Sequence, residues 1–207
     1  MTELPEEILL KIRAYVADAK RPRSKKGFRE PVREDFAPDV QILCIDQTLT
    51  HCGWALVNTE DGISVPDSGT IRSPNLGTGV RGFEQTFTKS VSLARGISEM
   101  LTRLYGQWEG VVLEMPSVSG YRTESSLVAA ATICTELDRM GDGLPVLVSR
   151  QAAGSLLCGD RLAPKSVSSA LVERLVEDRR PKGTGQWTEH VRDAVFVGLR
   201  NLYLEEQ

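Results

Sequence analysis

The sequence has few residues of the kinds that build disulfide frameworks, zinc sites and membrane spans. Its four cysteines lie far apart without a CxxC spacing, and it has only two histidines, so neither a disulfide framework nor a structural zinc site is expected. No apolar run reaches the roughly 18 residues of a membrane-spanning helix. The first residues include acids where a signal peptide would have a basic region. We therefore expect a cytoplasmic protein without a membrane partner.

The charge is unevenly divided along the chain. With 207 residues, 41% of them hydrophobic, the chain is expected to form one compact domain with additions. The net charge is −3, yet residues 20–33 contain seven bases and one acid, which leaves 18 bases and 27 acids elsewhere. A basic segment of this kind, with Lys25 and Lys26 at its centre, could neutralise phosphates or could be a solvated linker. Both interpretations stay open.

Hydrophobic periodicity predicts an α/β fold. Residues 4–19 have the pattern of an amphipathic helix, so residues 1–38 are interpreted as a helix and basic linker and residues 39–207 as the main domain. Residues EDG and PDSG are predicted to be turns in an antiparallel meander. Predicted strands are 40–46, 53–58, 69–73, 110–115 and 145–149, and predicted helices are 81–105, 123–139, 164–178 and 188–204. This order predicts a mixed five-stranded sheet, three antiparallel strands followed by parallel strands, flanked by helices.

Acidic residues follow two of these strands. Asp46 ends the first strand, and Glu114 ends the fourth, just before Pro116. A crossover helix allows the two strands to be neighbours, so both carboxylates would emerge at one edge of the sheet. On the last helix, His190 and Asp193 are three residues apart and can share a face. Like charges this close need a proton or a cation between them.

A divalent metal site is one arrangement that satisfies this need. Carboxylate ligands suit Mg²⁺ or Mn²⁺ better than zinc, and two such ions about 3.5–4 Å apart can promote phosphodiester hydrolysis. In this hypothesis Asp46 bridges both ions, with Glu114 on one side and Asp193 on the other, while His190 is a ligand or handles a proton. Taken singly, each acid could instead cap a turn or face solvent.

Residues 40–202 resemble the RuvC family of Holliday junction resolvases, within the ribonuclease H-like superfamily. The resemblance lies in an ordered set of motifs: ILCIDQTLTHCGWALV, GVVLEMP, SLVAAATICTEL, PVLVSRQAAGSLLCGDRLAPKSVSSALVERL and HVRDAVFVGL. It implies a ribonuclease H-like nuclease domain over residues 39–207 and a homodimer that cuts four-way DNA junctions symmetrically without a nucleotide cofactor. The implied catalytic and metal-binding residues are Asp46, Glu114, His190 and Asp193.

The resemblance also implies contacts with DNA. Arg150, Arg161 and Lys165 would contact phosphates, and Lys165 stands at a helix start that suits an anion. Tyr121 and Arg122 could stack on or clamp bases, although the interpretation favoured for Tyr121 is a partly buried loop aromatic. The family often places an aromatic wedge where this chain has Ser117. The extended N-terminus would fit a phage-encoded enzyme acting in the host cytoplasm.

Three alternatives share parts of this pattern. Another ribonuclease H-like nuclease, acting on flaps, forks or RNA–DNA hybrids, would use the same acids. The segment IDQTLTHCGWAL also resembles the phosphate loop of sugar kinases and actin-like ATPases, but those proteins need two such domains, for which 207 residues leave little room. A non-catalytic DNA-binding or scaffold protein is the third alternative, against which the intact acidic set argues.

Overall fold

One six-stranded mixed sheet organises the molecule. A computed structural model describes residues 28–48, 50–75, 82–115, 123–182, 184 and 187–204. The strands are β1 (Gln41–Gln47), β2 (His51–Asn58), β3 (Ser64–Arg72), β4 (Gly110–Met115), β5 (Val146–Ser149) and β6 (Glu177–Asp178). Their order across the sheet is β5-β4-β1-β2-β3-β6, with β1, β2 and β3 antiparallel and β4 and β5 parallel to β1. The predicted mixed α/β fold class is therefore confirmed, with six strands where five were expected, and β1 and β4 are neighbours as expected.

Helices cover both faces of the sheet. They are α1 (Gly82–Leu104), α2 (Thr123–Met140), α3 (Arg150–Leu157), α4 (Lys165–Leu175) and α5 (Glu189–Leu202). Alternate residues of β1 enter two separate cores: Cys44 joins the core that contains α5, and Ile45 joins the core that contains α1 and α2. Burial on both faces explains why β1 reads as a continuous apolar run rather than an alternating one. None of the helices in the described part of the chain is long and apolar enough to cross a bilayer.

The second strand begins at His51 rather than at Gly53, and two further predicted boundaries are wrong for identifiable reasons. The PDSG segment was expected to turn, but Pro66 and the three residues after it lie inside β3. Pairing between β2 and β3 shifts between Leu56 and Asn58, and Pro66 lies at this irregularity, where a missing N–H breaks no ladder hydrogen bond. The helix expected over residues 164–178 ends at Leu175, because the chain then adds β6 to the edge of β3.

The segment that precedes the sheet is anchored to the last helix. Phe36 is buried, forms a β-bridge with Tyr203, and packs edge-on against its ring at a centroid distance of 5.6 Å. The backbone N–H of Ala37 donates to the carbonyl of Leu202 at 2.7 Å. The chain therefore enters β1 from a fixed position. The predicted helix over residues 4–19 lies outside the described residues.

Candidate active site

Asp46 and His190 are in direct contact. Asp46 is the second-last residue of β1 and is buried on the face of the sheet that α5 covers. Its Oδ2 lies 2.8 Å from Nδ1 of His190, which is in the first turn of α5. This hydrogen bond is the main reason that the pKa of His190 is raised, against the opposing effect of burial. The contact leaves Nε2 as the ring nitrogen that Asp46 does not use.

A glycine allows His190 to come this close to the sheet. Gly53 pairs with Asp46 in the β1–β2 ladder, and α5 begins directly above it. A Cβ atom at Gly53 would lie 2.4 Å from the backbone carbon and oxygen of His190, so no other residue fits without movement of the helix. The helix start is fixed by Thr188, whose Oγ1 accepts a hydrogen bond from the N–H of Val191 at 3.3 Å.

Glu114 is a carboxylate without a complete set of partners. It is partly buried on β4, and its Oε2 is buried with no hydrogen-bond partner among the described residues. Burial raises the pKa of Glu114 well above its usual range, and the negative charges of Asp46 and Asp193 raise it further. The side chain of Gln47 joins the two strand ends by donating to the backbone carbonyl of Glu114 at 2.8 Å. The charges of Asp46 and Asp193 therefore act on Glu114 at one edge of the sheet.

Asp193 differs because two cations hold it. It is buried on α5, where its Oδ1 accepts a hydrogen bond from Arg150 and its Oδ2 accepts one from Lys165 at 2.9 Å. The Arg150 guanidinium also donates to Oγ of Ser168 at 2.6 Å and lies 5.4 Å from the ring centroid of Phe196. Both carboxylate oxygens of Asp193 thus have a positively charged donor.

Lys165 joins Asp193 to a second acid. As the first residue of α4, Lys165 also forms an ion pair with Glu189, which precedes His190. Burial opposes the lysine charge, but the hydrogen bonds that Lys165 donates to Glu189 and Asp193 outweigh it and raise the pKa of Lys165. Two of the predicted phosphate contacts, Arg150 and Lys165, therefore bind the carboxylate cluster itself in this structure.

Arg161 lines a cavity beside the cluster. Its Nε donates to Oε1 of Gln151 at 3.1 Å, and both residues line a cavity of about 280 Å³ that Glu114 and Arg150 also line. The loop that holds Arg161 packs against the described start of the chain, because the ring of Phe28 occupies the space in which a side chain at Gly159 would lie. Four further predicted contacts, Lys25, Lys26, Tyr121 and Arg122, lie outside the described residues.

His51 is a neighbour of the site that the sequence interpretation missed. Its ring stacks on that of His190, with centroids 4.9 Å apart and planes 14° apart. Its Nδ1 lies 2.9 Å from Oγ1 of Thr50. The alternation of β2 was the available signal, because His51 is two residues from Gly53 and so shares its face of the sheet.

The described residues do not form a closed metal site. Among them, no three His, Cys, Asp or Glu side chains are grouped as the ligands of one ion. Asp193 is turned to Arg150 and Lys165, and Asp46 to His190. Metal binding remains a prediction that requires the carboxylates to exchange some of these partners.

Comparison with solved structures identifies the fold. No family model matches the chain, and no curated protein does. Thermus thermophilus RuvC is similar, with 15% identity over 77% of this chain and 92% of the RuvC chain at a TM-score of 0.57. The chain has the fold of RuvC. The T. thermophilus RuvC structure in complex with Holliday junction substrate is also similar, with 15% identity over 79% of this chain and 93% of that chain at a TM-score of 0.59. The likeness to RuvC predicted from the motifs is thus confirmed for the fold.

Proposed function

We propose that the protein is a metal-dependent endonuclease that hydrolyses phosphodiester bonds in four-way or other branched DNA. The observation that carries the proposal is the meeting of Asp46, Glu114 and Asp193 at one edge of a RuvC-like sheet. A RuvC of this fold was solved with Holliday junction substrate, which supports branched DNA as the substrate class. The basic segment around Lys25 and Lys26 is proposed to contribute phosphate contacts.

The acidic residues suit Mg²⁺ or Mn²⁺ by their chemistry. Glu114 presents a buried oxygen without a partner, and the hard oxygen ligands of three carboxylates are those that these cations prefer. The residues that would hold the ions, two per site in this proposal, are Asp46, Glu114, His190 and Asp193. When bound, such ions activate water and stabilise the leaving 3′ oxygen.

The remaining polar groups would orient the DNA strand. Arg150 and Lys165 present positive charge beside the carboxylates, where a phosphate that approached the site could accept hydrogen bonds from them. His190 keeps its ring orientation through Asp46, which leaves Nε2 to hold or move a proton. Arg161 lines the adjoining cavity and would contact the strand at its margin.

A panel of labelled substrates tests the proposal. The substrates are a mobile four-way junction, a replication fork, a flap, a linear duplex and an RNA–DNA hybrid, each with Mg²⁺, Mn²⁺ or EDTA. We expect paired, symmetric, metal-dependent cuts in the junction. Equal cutting of forks and flaps would indicate a general branched-DNA nuclease, and cutting of the hybrid alone would indicate a ribonuclease. No cutting with either metal would overturn the proposal.

We also propose that the enzyme is a homodimer, because symmetric cuts need two sites. Apolar side chains are exposed on two adjacent helices: Val91 on α1, and Leu127 and Val128 on α2. A second copy that packed there would bury them. Light scattering after gel filtration should give twice the chain mass, and Val128→Glu should shift it toward the mass of one chain. A wild-type protein with the mass of one chain would contradict this.

A further inference from the structure

The face of the sheet that holds Asp46 continues across β2 and β3. Asp46 pairs with Gly53, and His51, two residues along β2, pairs with Arg72 at the end of β3. Because side chains alternate between faces and paired residues share one, His51 and Arg72 lie on the same face as Asp46. Thr70, on that face of β3, confirms the orientation by contacting Thr188 at 2.7 Å between hydroxyl oxygens.

His51 is held in one orientation by its surroundings. Its backbone N–H donates to Oγ1 of Thr48 at 3.1 Å, and its carbonyl accepts from the N–H of Thr48 at 2.7 Å. The ring is fixed by Thr50 at Nδ1 and by stacking on His190. Nε2 is the ring nitrogen that Thr50 does not use, and it is the atom available to donate to a ligand.

Arg72 supplies positive charge beside that ring. It is exposed, and within the described residues no carboxylate lies at ion-pair distance from it. Arg72 is the cross-strand partner of His51, so its charge lies beside that ring. Arg150 and Lys165 differ, since part of their charge is already engaged in ion pairs with Asp193 and Glu189.

We propose that Arg72 and His51 form a phosphate-binding subsite for the DNA strand that crosses the carboxylates. This inference rests on the proposed function. A guanidinium can bind phosphate oxygens through two parallel hydrogen bonds, and the imidazole Nε2–H can donate a third. Arg72 is two strand spacings across the sheet and two residues along it from Asp46, about 12 Å between backbones, so the subsite binds a phosphate beside the one that is cut. It fixes the register of the strand without reading its sequence.

Binding measured without catalysis tests the subsite. The affinity for a labelled four-way junction is determined in EDTA over a range of salt concentrations for the wild type, Arg72→Ala, Arg72→Lys and His51→Ala. Arg139→Ala is the matched control, since Arg139 is an exposed arginine at the end of α2 that pairs with Glu136. Thermal melting confirms that each variant is folded.

We expect Arg72→Ala to weaken binding about tenfold and to lower the salt slope by about one, as for the loss of one phosphate contact. Arg72→Lys should restore the slope but only part of the affinity, and His51→Ala should weaken binding less than Arg72→Ala. Arg139→Ala should match the wild type. If the wild type binds the junction and Arg72→Ala binds it with equal affinity and slope, the subsite is overturned while the proposed function stands. If the wild type neither binds nor cuts any branched DNA, both fall together.

Discussion

The two ends of the carboxylate cluster are neutralised in different ways. Asp46 on β1 meets a histidine, whose charge depends on pH, whereas Asp193 on α5 meets Arg150 and Lys165, which carry permanent charge near neutral pH. Glu114 on β4 has neither kind of partner at its buried Oε2. The comparison indicates that the protein stabilises two of its acids internally and leaves the third to be compensated by something that binds.

Glu114 gives the largest expected effect. Glu114→Gln should reduce junction cleavage by about 10³-fold or more, as loss of an essential group does. It should also raise the free energy of unfolding by about 1 kcal/mol, because a buried charge beside two other acids is removed. The pKa of Glu114 is raised in the folded protein, so the charge destabilises the fold increasingly as pH rises. Urea unfolding of the wild type and Glu114→Gln in EDTA, at pH 8 and pH 5.5, measures this increase in the free energy of unfolding.

The stability gain of Glu114→Gln should therefore be larger at pH 8 than at pH 5.5. Glu109→Gln is the control, because Glu109 is an exposed glutamate at the opposite end of β4. A destabilised Glu114→Gln variant, or a gain that grows as pH falls, would show that Glu114 is not the uncompensated acid.

Gly53 tests the histidine end of the comparison. Gly53→Ala should lower the free energy of unfolding by about 3 kcal/mol, because the new Cβ would overlap the backbone of His190. Cleavage should fall as well, since His190 would lose its position over Asp46. Gly110→Ala is the matched control, as nothing lies within 4 Å of its Cβ position in β4. Equal urea midpoints for the two variants would contradict the close approach of α5 to β2.

Arg150 tests the end held by permanent charge. Arg150→Gln should lower the free energy of unfolding by about 2 kcal/mol, because it leaves the buried Asp193 carboxylate with one cation and removes the donor to Ser168. Arg139→Gln breaks an exposed ion pair and should change stability by less than about 0.5 kcal/mol. If urea unfolding shows that both substitutions lower the free energy of unfolding by the same amount, Arg150 is an ordinary surface cation.

Lys165 gives the smallest expected effect, which is on metal affinity. It pairs with Asp193 and with Glu189, the residue before His190. Lys165→Met frees Oδ2 of Asp193, so Mn²⁺ should bind about twofold to fivefold more tightly, as expected for loss of a half-exposed ion pair worth up to about 1 kcal/mol. Calorimetric titration with Mn²⁺ measures the change. Lys89→Met, on α1 at the other face of the sheet, should leave the affinity unchanged. Weaker Mn²⁺ binding by Lys165→Met would mean that the lysine supports the metal site rather than competing with it.

The sequence predicted the strands that place the acids but not the partners of those acids. The apolar runs around Asp46 and Glu114 predicted two strands, and the helix between them allowed these strands to be neighbours with carboxylates at one edge. The ion pairs of Asp193 were not predictable, because Arg150 and Lys165 are 43 and 28 residues away along the chain. Such contacts depend on how α3 and α4 dock beside α5, which local patterns do not specify.

Predictions from local turn residues were wrong where strand pairing determined the conformation. Pro66 and Gly69 are turn-forming residues, yet both lie in β3, because pairing with β2 and an irregularity in the ladder accommodate them. The two residues of β6 gave no signal, since so short a strand exists only through its pairing with Ser64 and Val65. His51 was missed because the predicted strand began at Gly53, whereas β2 begins at His51 and so extends its alternation to that residue.

The proposed cleavage depends most directly on Asp46, so the decisive measurement compares the wild type with Asp46→Asn. Cleavage of the labelled four-way junction in Mg²⁺ is measured beside its binding in EDTA. We expect Asp46→Asn to abolish cleavage while it binds the junction as tightly as the wild type or more tightly, because the substitution removes charge from the acidic cluster and leaves the phosphate contacts. Retained cleavage would show that Asp46 is not needed for catalysis, and loss of both activities together with unfolding would show that Asp46 is structural. Either result would contradict the proposed function.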